Sequence, residues 1–391
     1  MPDIKDFFVK YYELFKNNSI DPGFIHQWYL FEANVIQSWN NFGFGSEEVV
    51  IAIIDLDFDI EHPDFKNKLH KPLDTVYGQD LHFSNKPSVT IDKPFKNALG
   101  RSHGTACASL ALAAQDGEGI IGVAPNIKFM PIRIIGASDE NWETAFRYAV
   151  DNGAHIISCS LGYDASGDDN LPLSSQISSV IKILSNDVIF CFASGNAAKQ
   201  AVGFSSHPDV IGVGASTVFN KLASYSNTNN NTVITAPSSD DDINLKITAS
   251  DILGEAGETD GDLQYSFGGT SAACPLVAGV IGLMISQNRK LKVTEVKEIL
   301  MQTGVKLDDG YHVKVDAYKA VKEVRKRIGV ENFPLLARAV IDLNIRKGPA
   351  RIYEKVGSIK KDDKLTFIAY ENGWYKIDEN KYVSGRYMSI V

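Results

Sequence analysis

Three residue types in this chain could together perform acyl transfer: Asp55, His103 and Ser271. A serine hydroxyl is a weak nucleophile unless a base takes its proton and a carboxylate orients that base. Ser271 lies in Gly269-Thr270-Ser271-Ala272-Ala273-Cys274-Pro275-Leu276-Val277-Ala278-Gly279, and the small and apolar run continues to Met284. The small residues at Ala272, Ala273, Ala278 and Gly279 predict a helix packed closely on a sheet. Pro275 is expected near the first turn of that helix, where a missing N–H costs little. Ser271 would then sit at the helix N-terminus, where free N–H groups and the macrodipole favour developing negative charge. His103 heads a second small-residue stretch, Ser102–Leu110, and Asp55 ends the apolar run Val49–Ile54. The chain order Asp, His, Ser is one of those in which such triads occur.

The elements that must position these groups follow from periodicity. Val49–Ile54 is apolar without a break, as strands covered on both faces are. Ile127–Ile135, His155–Ser160, Val188–Ala193 and Val210–Ala215 read the same way. Helical patterns separate some of them: Trp142, Ala145, Phe146 and Ala149 in one, Ile177, Val180, Ile181 and Leu184 in another. Strands alternating with amphipathic helices predict an α/β fold with a doubly wound, mostly parallel sheet. Active groups of such sheets gather at the carboxyl ends of strands, where Asp55 and Ser194-Gly195-Asn196 fall. Helices over Val293–Thr303 and Val315–Arg327 complete the outer layer. The run Asn227–Asn231 is expected to be an exposed turn. From about Ala337 the pattern becomes short strands with turn signals at Gly348-Pro349 and Glu371-Asn372-Gly373, an all-β module of about 55 residues. The expected divisions are a helical extension over 1–20, with apolar residues from Ile4 to Phe15, a large domain over 21–330, and the β-module over 337–391.

Four motifs carry a family resemblance. Ile53-Ile54-Asp55 is followed by His62-Pro63-Asp64; then come His103-Gly104-Thr105, Phe192-Ala193-Ser194-Gly195-Asn196, and Gly269-Thr270-Ser271-Ala272 with Pro275. Over residues 20–320 these resemble the subtilisin-like serine proteases of peptidase family S8, and Asp21-Pro22, Gln27-Trp28 and Val123-Ala124-Pro125 fall where that family has similar residues. The resemblance implies a serine endopeptidase in which Ser271 attacks the scissile carbonyl, His103 shuttles the proton and Asp55 orients His103. Asn196 would donate to the oxyanion beside the Ser271 N–H. It also implies S1 walls from Ser160, Leu161, Gly162, Ala193, Ser194 and Gly195 with Gly203 near the floor, no acidic group among them, and hence an apolar or neutral P1 side chain. Asp164, Asp168 and Asp169 follow the first wall as a solvated loop. By the same resemblance a structural Ca²⁺ would be held by Asp64, Asp116, Gln27 and carbonyls of the Asp116–Ile120 loop; catalysis needs no cofactor. Two departures stand out: Leu56-Asp57 after Asp55, where the family has a small residue and Gly, and a long interval before His103, its excess placed in Leu73–Leu99. Residues 337–391 resemble bacterial SH3-like modules through Leu343-Asn344-Ile345-Arg346-Lys347-Gly348-Pro349 and Glu371-Asn372-Gly373-Trp374-Tyr375-Lys376-Ile377. Relatives of such modules bind peptides or cell-wall components.

Composition bounds the alternatives. The chain has 391 residues, 39 Lys+Arg and 48 Asp+Glu, and a net charge of −9, which speaks against generic nucleic-acid binding. No uninterrupted apolar run approaches the length of a membrane span, and no signal peptide is evident at the start. Cys107, Cys159, Cys191 and Cys274 lack metal-like spacing and read as buried free thiols, which favours a cytoplasmic location over a secreted mature form. The expected partner is a protein or peptide substrate. A catalytically silent binding protein on the same scaffold is the alternative. An esterase of another fold is disfavoured because Gly-x-Ser-x-Gly is missing. The N-terminal extension is expected either to dock as a helix away from the cleft or to restrain the cleft, with Asp21-Pro22-Gly23 as its pivot.

Overall fold

A computed structural model describes residues 21–75, 102–134, 138–163, 171–232, 234–254, 257–328, 335–371 and 373–390. The expected helix over 1–20, most of the long interval before His103, the aspartates at 164, 168 and 169, and the boundary near 332–334 lie outside them.

The large sheet has nine strands among the described residues. They are β1 (Val50–Asp55), β2 (Leu73–Asp74), β3 (Lys128–Arg133), β4 (Ile156–Cys159), β5 (Ile189–Ala193), β6 (Val210–Ser216), β7 (Ile234–Pro237), and two short strands, β10 (Val305–Lys306) and β11 (Val313–Lys314). The order is β10-β11-β7-β6-β5-β4-β1-β3-β2, parallel throughout except at the β10–β11 edge. The five strands expected from apolar runs appear within about two residues of the expected ends. Because side chains alternate across a strand, β1 sends Ile51 and Ile53 to one face and Val50, Ala52 and Ile54 to the other.

Two helical layers cover these faces. Short helices α1 (Trp28–Glu32) and α2 (Val35–Phe42) precede β1, and α3 (His103–Leu112) follows β2. On one face lie α4 (Asp139–Asp151) and α5 (Ser175–Leu184), packed through Trp142, Phe146, Ile177 and Ile181. Ser138 and Ser174 cap these two helices, each accepting from a backbone N–H three residues on. The other face carries α3 and α6 (Gly269–Gln287), backed by α7 (Val293–Thr303) and α8 (Ala317–Arg327). By length and composition α6 could cross a membrane, yet it is buried from Ala272 to Ile285 as the core helix between sheet and outer layer. Its Ala and Gly positions let α3 and the sheet approach closely, as the small-residue pattern predicts. A two-stranded ribbon, β8 (Ile247–Ser250) with β9 (Leu263–Phe267), leads into α6 and carries no pattern that distinguished it beforehand.

Asn227–Asn231 is not an exposed turn. Asn227 is buried and its Oδ1 accepts from the N–H groups of Ala197 and Lys199. Asn231 Nδ2 reaches the carbonyls of Ser205, His207 and Val210 at 2.8–2.9 Å. These amides satisfy irregular backbone that no ladder pairs, so polarity here marks internal bracing and not solvation.

The C-terminal module comprises β12 (Leu335–Ala339), β13 (Leu343–Arg346), β14 (Lys355–Ile359), β15 (Lys364–Phe367), β16 (Ala369–Glu371), β17 (Trp374–Asp378), β18 (Lys381–Ser384) and β19 (Met388–Ile390) in two small antiparallel sheets. Its own core holds Leu343, Ile359, Phe367, Tyr375 and Val383, with Phe367 and Tyr375 stacked 4.8 Å apart. Trp374 is half-buried. The module is fastened to the large domain by Glu48, which meets Arg338 and Ser389, and by Arg386, which donates to Gln115 O at 2.8 Å and Asn126 Oδ1 at 3.0 Å.

Candidate active site

Asp55 leaves the carboxyl end of β1 and is fully buried. Its carboxylate accepts from Leu56 N at 2.8 Å and faces His103 Nδ1 at 2.9 and 3.0 Å. His103 is the first residue of α3, so helix geometry aims the imidazole at the strand end. Gly104 makes the approach feasible: a Cβ there would lie 2.2 Å from Asp57 O and 2.9 Å from Asp55 Cβ. Phe267 covers His103 edge-on at 5.5 Å. Burial works against the imidazolium, but the Asp55 carboxylate, helped by Cys107, outweighs it and holds the His103 pKa well above the usual histidine range. With Nδ1 turned to Asp55, Nε2 is left to exchange a proton.

Ser271 occupies the first turn of α6, half-exposed. Its hydroxyl donates to Ser160 O at 3.4 Å, and no hydrogen bond joins it to His103 among the described residues. Such bonds are often long or absent without substrate, and rotation about one side-chain torsion redirects Oγ. Cys107 links the two groups, its Sγ lying 3.8 Å from His103 Nδ1 and 3.5 Å from Ser271 O.

Pro275 lies deeper in α6 than the first turn, where it was expected, so Ser271 O loses its i+4 donor. Ser160 Oγ at 3.1 Å and the Cys107 thiol replace that donor. The proline is thus tolerated by two specific side chains that also hold Ser271 in place. Asp55, His103 and Cys107 bring their donor atoms within 4.8 Å of one another, as metal ligands do. Burial pushes the Cys107 thiol up, however, and the neutral thiol is a poor ligand.

Asn196 follows β5 on a loop braced by Asn227. Its Oδ1 accepts from Thr270 N at 2.8 Å and Thr270 Oγ1 at 3.0 Å. That pairing fixes the amide orientation and turns the Nδ2 donors away from Thr270 on the exposed side. The Asp57 departure is absorbed by Arg133: Nε lies 3.7 Å from Asp57 Oδ1, while Nη1 pairs with Asp74 at 3.0 Å. The second carboxylate is therefore partly offset from the β3 side by a guanidinium it shares with Asp74.

Of the expected S1 residues, Leu161, Gly162, Ala193, Ser194 and Gly203 line one small cavity of about 10 Å³. Ser160 and Gly195 flank it in sequence, and Gly195 N is held by Thr270 Oγ1 at 3.1 Å. The space admits about one water. Tyr163, which sequence reasoning passed over, helps to fill it: its ring meets Phe204 edge-on at 5.5 Å and its hydroxyl bonds Asp139. An aromatic directly after Ser160-Leu161-Gly162 was the available signal.

The expected calcium residues are only partly assembled. Asp64 is buried against the 116–120 loop, with Oδ2 accepting from Ser250 and from Ile120 N at 3.4 Å and Oδ1 without a hydrogen-bond partner among the described residues. A Cβ at Gly119 would lie 2.1 Å from that Oδ1, so the loop backbone closes over the carboxylate. Burial pushes the Asp64 pKa up to about 8, with Asp116 and Asp21 adding to the rise against the Ser250 bond. An orphaned carboxylate oxygen beneath a carbonyl-bearing loop suits a hard cation. Gln27 meets the same loop through both ends of its amide. Its amide donates to Ile121 O at 2.7 Å and accepts from Ile121 N at 3.0 Å, so a strand-like clasp uses both ends. Asp21 reaches the loop as well, its Oδ1 accepting from Asp116 N at 3.0 Å and Gly117 N at 2.9 Å.

The model of the Subtilase family (Peptidase_S8) matches residues 46–329. The chain belongs to the subtilase family. The Bacterial SH3 domain model matches residues 341–389, in keeping with the small β-sheets there. The calcium-dependent protease of Trichormus variabilis is 30% identical over 309 residues, covering 71% of this subtilase and 44% of that protein. A thermophilic serine proteinase of a Bacillus species is 28% identical over 289 residues, covering 71% and 62%. The chain thus spans roughly half the length of the curated relatives it matches. Among solved structures, a protease from Pseudoalteromonas arctica superposes with a TM-score of 0.63 at 22% identity, covering 79% of this chain and all of that one. That likeness concerns the fold.

Proposed function

We propose that this subtilase is a serine endopeptidase in which Asp55, His103 and Ser271 act as the triad. The Asp55–His103 contact at 2.9 Å, set beside the first turn of α6, carries the reading. Ser271 Oγ adds to the scissile carbonyl carbon as His103 Nε2 takes its proton. Asp55 stabilises the resulting imidazolium. Asn196 Nδ2 and the Ser271 N–H, which has no intrahelical acceptor in a first turn, donate to the oxyanion. Collapse of the adduct breaks the C–N bond as His103 returns the proton to the leaving amine, and water then releases the acyl group by the same path. A phosphonylating inhibitor should modify Ser271 stoichiometrically, and casein should be hydrolysed by the unlabelled protein only. Labelling of another serine, or none in folded protein, would sink the triad; folded, unlabelled protein that binds casein without cutting it would favour a silent scaffold.

The cavity behind Leu161 and Ala193 narrows the earlier expectation of any apolar or neutral P1 residue to small uncharged ones. Peptides with Ala at P1 should exceed those with Phe in kcat/KM by at least about tenfold, since methylene-sized misfits are worth about 10–200-fold. Tyr163→Ala should shift preference toward Leu and Phe. An unchanged ranking in that variant would show that Tyr163 does not bound the subsite.

We further propose that Asp64, Asp21, Asp116 and the carbonyls of the 116–120 loop hold a structural Ca²⁺, as the calcium-dependent relatives' names encourage. The ion would neutralise Asp64 and brace the loop. The folded pKa of about 8 exceeds the ordinary value of 3.8, so without a cation this group costs stability progressively as pH rises between the two. Chelator should therefore lower Tm more at pH 8 than at pH 5, and Asp64→Asn should remove the difference. Equal chelator effects at both pH values would place the metal dependence elsewhere.

The half-buried Trp374 favours a peptide or glycan ligand for the module, and four free buried cysteines suit a reducing, cytoplasmic compartment.

A further inference from the structure

A cleft of about 330 Å³ lies between the β-module and the large domain, lined by Lys66, Lys68 and Lys128 from one side and Arg386 and Tyr387 from the other, and by none of Asp55, His103, Asn196 and Ser271. We propose that it binds a small phosphate-bearing anion, held jointly by Lys68, Lys128 and Arg386, and so couples the module to the subtilase domain. Its volume lies within the range of small-molecule sites, about 300–1,000 Å³.

The cations there are poorly matched by their present partners. Lys68 is only 5% exposed, yet among the described residues its ammonium donates only to Pro125 O. Lys128 Nζ donates to Asn67 O at 2.8 Å. The Arg386 guanidinium donates to Gln115 O and Asn126 Oδ1. All these acceptors are neutral, and none of the three cations forms an ion pair among the described residues. An ammonium has three donors and a guanidinium five, so several remain to be filled. Burial, with Arg386 and Lys128 close by, pushes Lys68 down to about 7, against the opposing pull of Glu47 and Asp116. A buried ammonium whose hydrogen-bond partner is neutral is costly, and an anion within reach of it in the cleft would relieve that cost. Glu47, Asp116 and Glu118 also line the cleft. They oppose any anion, so binding there requires a compact group that several N–H donors can reach at once.

Two protein segments would feel the ligand. Arg386 belongs to the turn before β19, and Gln115, which it touches, adjoins Asp116 of the loop beneath Asp64. Occupancy would thus fix the module against that loop.

The test uses the full chain in metal-free, chelator-containing buffer at constant ionic strength. Phosphorus NMR line broadening and Tm are followed while inorganic phosphate, or separately glycerol 3-phosphate, replaces chloride. Saturable broadening and a rising Tm are expected; a response to phosphate alone assigns a free ion, and a response to both a monoester group. Lys128→Gln and Arg386→Gln should each weaken binding about tenfold, the size of one charge-assisted hydrogen bond. Lys68→Met should abolish it, and because that buried site could unfold, the half-exposed Lys128 variant keeps the test decisive. No saturable response, or equal binding by the folded variants and the parent, overturns the proposal.

Discussion

Ser271→Ala is expected to lower turnover of a peptide substrate by about a millionfold while leaving Tm essentially unchanged. The magnitude is subtilisin's own, carried over from a relative. Both halves of the result follow from the geometry. The hydroxyl makes only a 3.4 Å contact with Ser160 O, so its removal leaves no buried partner stranded. Alanine suits a helix, and the Ser271 carbonyl keeps its Ser160 and Cys107 donors. Progress curves on a chromogenic peptide, paired with a melting scan, check both. Adding His103→Ala to the serine variant should cost almost nothing more, because a base without a nucleophile has no proton to take. A residual rate within about a hundredfold of the parent would mean that another group performs the attack.

The central strands were legible because burial on both faces leaves unbroken apolar runs, of which Val49–Ile54 is the plainest. The positions of His103 and Ser271 were legible for a related reason: a helix pressed onto a sheet must be built of small residues, and the reactive group has to stand at its start. What escaped was set by partners distant in sequence. Nothing near Pro275 says that Ser160 and Cys107 will replace its missing donor. Arg133, 76 positions beyond Asp57, partly offsets that second carboxylate while pairing with Asp74. Asn227–Asn231 has the composition of a solvated turn, yet its amides brace the loop that carries Asn196. Asp21 was not singled out for the 116–120 loop because the five residues between it and Gln27 can place either side chain there, and only packing decides. The ribbon of β8 and β9 and the first strand of the module are short and partly polar, so periodicity had little to act on.

Asn196→Ala is expected to reduce kcat by about 10²–10³ with little change in KM; the figure is again that of subtilisin's oxyanion donor and is carried over from a relative. The split between the two constants is the informative part. An amide aimed at charge that exists only in the transition state contributes nothing to binding the neutral carbonyl of the ground state. The structure adds a second expectation. Asn196 Oδ1 accepts from both Thr270 N and Thr270 Oγ1, and Thr270 is fully buried. Truncation to alanine leaves those donors unsatisfied, at a cost of about 1–3 kcal/mol in stability. A lower Tm should therefore accompany the catalytic loss. Asn196→Asp separates the two effects: its carboxylate can still accept from Thr270 and keep Tm near that of the parent, but it offers no N–H to the oxyanion and repels it. Turnover by the aspartate variant should fall at least as far as in the alanine variant. If the aspartate variant instead keeps parental kcat, Asn196 serves only to hold Thr270, and the oxyanion must be stabilised by the helix N-terminus alone.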